Sequence, residues 1–245
     1  MAPHIVNRRA TGASKETGQM NGNNSAVNPL PPVVAALFLM IVGIEIAFQL
    51  GTRNLIGGPG AAGWRLSAFQ TYAFSGNIFD WMLANNHWPL SQLMRFLTYP
   101  FVHASFSHAL FVGVMLLAMG KMVAEAFGQI ATLGIFVVSG IGGALAYALF
   151  LNDPVPLIGG FAPVYGMIGA FTYLLARSLA NIGANQARAF MLIAVLMGIQ
   201  LLFGLFFDVQ SDWVADLAGF VTGFAMSFVV SPGGWARVLG KIRHD

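Results

Sequence analysis

Four side chains able to carry or move a proton lie in stretches of this sequence that are otherwise apolar: Glu45, His103, His108 and Asp216. Inside a bilayer each is costly unless it is paired or reaches water. Two imidazoles five residues apart, with carboxylates elsewhere, suit acid–base work or a proton path. Nucleophilic catalysis needs in addition a hydroxyl or thiol beside a base. The chain has no cysteine, so disulfides and thiolate chemistry are excluded. Ser107 adjoins His108, but neighbouring helix positions point about 100° apart. Ser211 falls in a loop, and Thr222 and Ser227 lie deeper in the last apolar run. None of these hydroxyls stands at a recognisable spacing from a base. For the two histidines, ordinary structural hydrogen bonds are the default, and a water-accessible outward cavity would account for all four residues together. Glu45 has two readings, snorkelling or a structural bond to a nearby loop, and its role stays open.

The elements that must position these residues follow from composition. Of 245 residues, 57% are hydrophobic and 9% charged, with a mean hydropathy of +0.71. Soluble domains carry about 25% charged residues. So few charges cannot cover a water-facing surface, so most of the surface faces lipid. The net charge of +3 comes from cations scattered at span ends, which gives no face for nucleic acid. A spanning helix needs about 20 mainly apolar residues, and six stretches qualify. They run from about Pro32 to Leu50, Phe96 to Met119, Ile130 to Leu151, Val155 to Leu175, Ala189 to Phe207 and Trp213 to Val230. The expected class is an all-α membrane protein, a six-helix bundle. Its domains are a cytoplasmic tail over 1–31, expected to be disordered, a membrane domain over 32–231 and a short basic tail over 232–245. The first tail has no apolar run of the kind a signal peptide carries.

One connection is long, about Gly51 to Arg95, and holds an aromatic, amphipathic stretch from Trp64 to Trp88. It reads either as a partly helical loop in the outer headgroup layer or as a small loop packed on the helix ends. With the N-terminus inside, the inner segments hold nine of the twelve cations and the outer ones Arg53, Arg65 and Arg95. That bias satisfies the positive-inside rule, and an even span count returns the C-terminus to the cytoplasm.

Helices in lipid associate through close packing of small residues. The fourth stretch carries Ala162, Gly166 and Ala170 at a spacing of four, and the sixth carries Ala215, Gly219 and Gly223. Residues four apart share a helix face, so these two faces are expected to meet. Gly140, Gly143 and Ala144 add a similar patch in the third stretch.

Several segments together resemble the rhomboid family. Tyr99-Pro-Phe-Val-His-Ala-Ser-Phe-Ser-His108, preceded by Leu93-Met-Arg-Phe-Leu-Thr98, is similar to the start of that family's second span, with its pair of histidines five apart. Gly120-Lys-Met-Val-Ala-Glu125 with Phe127-Gly128 resembles the end of that span. Gly159-Gly-Phe-Ala-Pro-Val-Tyr-Gly166 resembles the family's Gly-Ala-Ser-Gly-Ala-Val-Tyr-Gly, and Ala215-Asp-Leu-Ala-Gly219 with Gly223 resembles Ala-His-Leu-Gly-Gly-x-x-x-Gly. The likeness covers roughly Phe38 to Val230. It implies a six-span rhomboid-like bundle with a long outer loop between spans one and two.

Active members are intramembrane serine proteases with a Ser–His dyad, and the departures from their pattern bear on the chemistry. By this alignment the serine position holds Phe161, the histidine position Asp216, and the oxyanion asparagine position Val112. Ala162 replaces the glycine after the serine. Only His103 and His108 remain of the polar site. No serine or cysteine lies between Leu151 and Tyr173 and no histidine between Asp212 and Ala236, so a small alignment shift changes nothing. The resemblance therefore implies a pseudoprotease that binds transmembrane segments of other proteins through His103, His108, Asp216 and Phe161 without cutting them. Two alternatives are an active endopeptidase with an unrecognised nucleophile, and a small transporter or proton path. No metal or cofactor is expected. The partners expected are membrane-spanning segments and lipid, and the expected location is a bacterial inner membrane.

Overall fold

The computed structural model describes residues 29–151, 153–207 and 212–231, with the backbone alone for 203–207. Most of the two expected tails lies outside these residues. Ten α-helices and three short 3-10 helices are seen among them. Helix α1 (Pro32–Thr52) opens with Pro32, whose ring presets the first turn and whose missing N–H would have been unpaired there anyway. The next four helices are short: α2 (Trp64–Tyr72), α3 (Gly76–Asn85), α4 (Leu90–Leu93) and α5 (Arg95–Thr98). Long apolar helices follow: α6 (Phe106–Phe127), α7 (Gln129–Phe150), α8 (Phe161–Asn181), α9 (Met191–Phe207) and α10 (Trp213–Val230). Among the described residues α1, α6, α7 and α10 are long and apolar enough to cross a membrane. Helix α8 also has 21 residues, with Pro163, Arg177 and Asn181 diluting its apolarity. The shorter α9 is the most apolar of the set.

Two helix starts differ from the sequence expectation. The second apolar helix begins at Phe106, ten residues after the expected Phe96. Residues 95–101 form α5 and a 3-10 turn at Tyr99–Phe101, and Val102 is extended. The physical reason is the pair Pro100 and Ser105: Pro100 has no N–H with which to continue the hydrogen-bond ladder of α5, and Ser105 caps α6 by accepting from the His108 N–H at 3.2 Å. The fourth begins at Phe161 instead of Val155, because Gly159 takes a left-handed φ of +87°, and it runs on to Asn181.

Helices α7, α8 and α10 form the tightest part of the bundle. A Cβ on Gly219 would strike the backbone of Ala162, one on Gly223 the backbone of Gly166, and one on Gly166 the side chain of Ser139. The spacing-of-four stripes thus lie in direct backbone contact. Helix α1 packs on α6 by a similar device. A Cβ on Gly113 would sit 2.9 Å from Phe38, and one on Gly120 3.1 Å from Val34. The segment between α1 and α6 is tied to the bundle at Phe74, which exchanges two backbone hydrogen bonds with Leu157 at 3.0 and 2.7 Å. Phe74, Phe79 and Phe96 cluster there against Tyr147 and Ala148 of α7.

Candidate functional site

His103 sits on the extended lead into α6 and is buried. Its backbone carbonyl accepts from Arg65 Nη1 at 2.5 Å. Arg65 in turn makes a two-bonded ion pair with Glu45, Nη1 to Oε2 at 2.9 Å and Nη2 to Oε1 at 2.7 Å. Gln49 adds a donor to Glu45 Oε1 at 2.9 Å, and the guanidinium lies 5.0 Å over the Phe48 ring. Of the two readings of Glu45, the structure therefore has the bond to the loop. The planar fork of arginine matches a carboxylate edge to edge, so the contact fixes α2 against α1 as well as compensating the buried charge.

The side chain of His103 accepts from the Gly160 N–H through Nε2 at 3.4 Å. His108, in the first turn of α6, accepts from the Ala104 N–H through Nδ1 at 3.4 Å. Accepting at Nδ1 leaves its proton on Nε2, and that buried nitrogen has no hydrogen-bond partner. The two imidazoles meet edge to face with centroids 5.0 Å apart. The opposite contact of His108 is with Phe161, whose ring it stacks on at 5.1 Å and 17°.

The turn at Gly159–Gly160 fits between these rings. A Cβ on Gly159 would strike His108 Nε2, and one on Gly160 would lie 2.9 Å from Val112 and 3.1 Å from the Pro100 carbonyl. His103, His108, Val112 and Phe161 are thus gathered around two glycines at the head of α8.

Asp216 stands in the first turn of α10 and is 2% exposed. The heads of α8 and α10 converge here: a Cβ on Gly143 would lie 2.7 Å from Ala162 Cβ and 2.8 Å from the Ala215 carbonyl. Phe161 and Asp216 are each one residue from that meeting point. The partner of Asp216 is a glutamine and neither of the two histidines. Gln200 of α9 donates to Asp216 Oδ2 from Nε2 at 2.6 Å, and its Oε1 accepts from Tyr165 OH at 3.1 Å. The histidines are engaged elsewhere, His103 on Gly160 and His108 on Ala104 and Phe161. Sequence reasoning missed both Gln200 and Tyr165. The available signal was that Gln200 is the one strongly polar residue between Ala189 and Phe207, and such a residue in lipid seeks an interhelical partner.

This arrangement holds a base and a buried carboxyl but no nucleophile between them. Phe161 has no hydroxyl or thiol, and Val112, at the position that the alignment gives to the oxyanion asparagine, has no donor. The buried hydroxyls Ser139 and Thr172 have no hydrogen-bond partner, so no imidazole or carboxylate activates them. Among the described residues, no three His, Cys, Asp or Glu side chains are grouped to hold a metal.

Comparison with known proteins places these features in a family. The sequence model of the rhomboid domain matches residues 90–233. The chain is similar to RHOMBOID-like protein 1 of Arabidopsis thaliana, 27% identical over 233 residues, which cover 89% of this chain and 55% of that protein. RHOMBOID-like protein 2 of the same plant is 32% identical over 136 residues, covering 56% and 42%. Inactive RHOMBOID-like protein 8 is 29% identical over 179 residues, covering 73% and 46%. The chain spans about half the length of these curated relatives.

Proposed function

The chain belongs to the rhomboid family and is a multi-pass integral membrane protein, and we propose that within this family it is a pseudoprotease that binds transmembrane segments of other proteins without cleaving them. The observation that carries the reading is Phe161. It heads α8 where the alignment expects the nucleophile, and its ring is stacked on His108. Supporting it, Asp216 takes the place of the catalytic base and is bound to Gln200, and Val112 takes the place of the oxyanion donor. One relative bears the name inactive. In the proposed topology six spans leave both termini in the cytoplasm, with the domain divided as 1–31, 32–231 and 232–245. The proposed location is a bacterial inner membrane; the relatives named above are plant proteins.

The test is direct. The purified protein in proteoliposomes is given fluorogenic transmembrane substrates cut by active rhomboids, and a fluorophosphonate probe that labels activated serines. The expected result is neither cleavage nor labelling, together with co-isolation of membrane-spanning partners after crosslinking in the native membrane. Labelling of one serine, lost when that serine is changed to alanine, would overturn the reading.

A further inference from the structure

The polar chain Tyr165–Gln200–Asp216 has a consequence for which segments such a protein accepts. Helix α9 is held to the bundle by one narrow stripe. Ile193, Leu196 and Met197 pack against Tyr165, Ile168 and Phe220, and Gln200, one turn further on the same face, reaches Asp216 and Tyr165. The other face, with Met191, Val195, Ile199 and Leu202, is exposed. Among the described residues α9 makes far fewer close approaches to its neighbours than α8 and α10 make to each other.

The two kinds of contact respond differently when α9 is displaced. Lipid chains are as apolar as leucine, so the Ile193, Leu196 and Met197 contacts are exchanged for lipid or for another apolar helix at small cost. The Gln200 contact is not. Lipid has no donor for the Asp216 carboxyl and no acceptor for the Tyr165 hydroxyl, and a buried polar group left unpaired is expensive. A carboxamide fits both needs at once, its NH2 donating to Asp216 and its oxygen accepting from Tyr165. A single hydroxyl would have to meet both groups from one atom.

We propose that Asp216 and Tyr165 select the client: a transmembrane segment carrying an Asn or Gln at the depth of Asp216 takes over the two hydrogen bonds of Gln200 and seats beside α8 and α10. This deepens, and rests on, the reading of the chain as a binder of transmembrane segments.

The experiment uses the full chain in proteoliposomes. Because the chain has no cysteine, a single Ile182→Cys at an exposed position carries a fluorescent donor. The ligands are synthetic Leu/Ala transmembrane peptides bearing an acceptor dye, with Asn, Ser or no polar residue at the matching depth. The Asn peptide is expected to bind about three- to tenfold more tightly than the apolar one, the worth of one or two interhelical hydrogen bonds in lipid, with Ser between them. Asp216→Leu abolishes that preference. Gln200→Leu, which leaves Asp216 and Tyr165 without their internal partner, enlarges it. Equal binding of all three peptides to the wild type, or a preference unchanged in Asp216→Leu or Gln200→Leu, would overturn the selection while leaving client binding intact. No binding by any peptide would overturn both together.

Discussion

The imidazole of His108 lies face to face with the phenyl ring of Phe161, their centroids 5.1 Å apart and their planes 17° from parallel. Where a hydroxyl beside a base would make a nucleophile, this pair makes an apolar stack. The stack covers one face of the imidazole, whose Nε2 is buried without a hydrogen-bond partner. Phe161→Ala should therefore open that nitrogen to reagents. Carbethoxylation by diethyl pyrocarbonate, read by mass spectrometry, is expected to be slow at His108 in the wild type and several-fold faster in the variant. The exposed His87 serves as the internal reference. Equal reactivity of His108 in both proteins would show that Phe161 does not seal the site.

Breaking the Glu45–Arg65 pair should be costly. Glu45 is 3% exposed and has Arg65 as its one cationic partner among the described residues. Removing one member of a buried pair strands the other, at about 3–5 kcal/mol. Arg65→Leu should thus lower the thermal midpoint in detergent markedly. Glu45→Leu with Arg65→Leu should recover part of the loss, since no charge is then left unpaired. Recovery stays incomplete because Arg65 also donates to the His103 carbonyl. A double variant as unstable as the sum of the singles would argue against the coupling.

The packing of α8 on α10 makes a third prediction. Gly166→Leu and Gly219→Leu would drive a side chain into Ser139 and into the Ala162 backbone respectively. The Ala162 backbone cannot yield as a flexible side chain can, and Ser139 is fully buried with no room to move aside, so each should cost about 1–3 kcal/mol or more. Gly198→Leu is the control, since a Cβ there meets nothing within 4 Å. Gly183, although in open space, has a φ of +69°, so a leucine there is strained for a separate reason and makes a poor control. If all three variants melt alike, the stripes are not the interface.

Topology is open to a fourth test. Reporters before Pro31 and after Asp245 should read cytoplasmic, and one inserted near Gly60 external, as the distribution of cations requires. An external signal at the C-terminus would end the six-span proposal.

What could be read from the residues divides along physical lines. The long apolar runs were legible because lipid imposes length and composition on every helix that crosses it. The α8–α10 stripe was legible because its small residues recur every four positions. Helix starts were less so. Apolar residues continue from Phe96 through Phe106, and only the local effects of Pro100 and the Ser105 cap interrupt the helix. The partner of Asp216 was legible only as a lone polar residue in an apolar run. Gln200 lies 16 residues away in another helix, and nothing in the local pattern couples a glutamine in α9 to an aspartate in α10. The Glu45–Arg65 pair was half legible: the loop was a candidate, but which of its cations reached Glu45 depended on how α2 folds back over α1.

The last prediction concerns rebuilding the site. Phe161→Ser with Asp216→His would restore a hydroxyl and an imidazole at the heads of α8 and α10, which meet at Gly143 through Ala162 and Ala215. Three features of the structure work against activity. Val112 packs on Gly160 where a donor to an oxyanion is wanted, and loss of one such donor costs about 100- to 1000-fold in rate. Ala162 carries a Cβ, itself wedged against Gly143, where active members have glycine. Gln200 and Tyr165 remain hydrogen-bonded to each other, and Gln200, which donates to Asp216 through Nε2, would present that same donor to the new imidazole. A ring nitrogen accepting from Gln200 is not free to take the serine proton. The double variant should therefore show at most slight cleavage of a transmembrane reporter and weak fluorophosphonate labelling at position 161. Adding Val112→Asn and Ala162→Gly should raise both, and Gln200→Leu on that background should raise them again. Labelling as strong in the double variant as in an active rhomboid would mean that Val112, Ala162 and Gln200 do not limit the site. Rapid cleavage by the unmodified chain would refute the whole account of Phe161 as a replaced nucleophile.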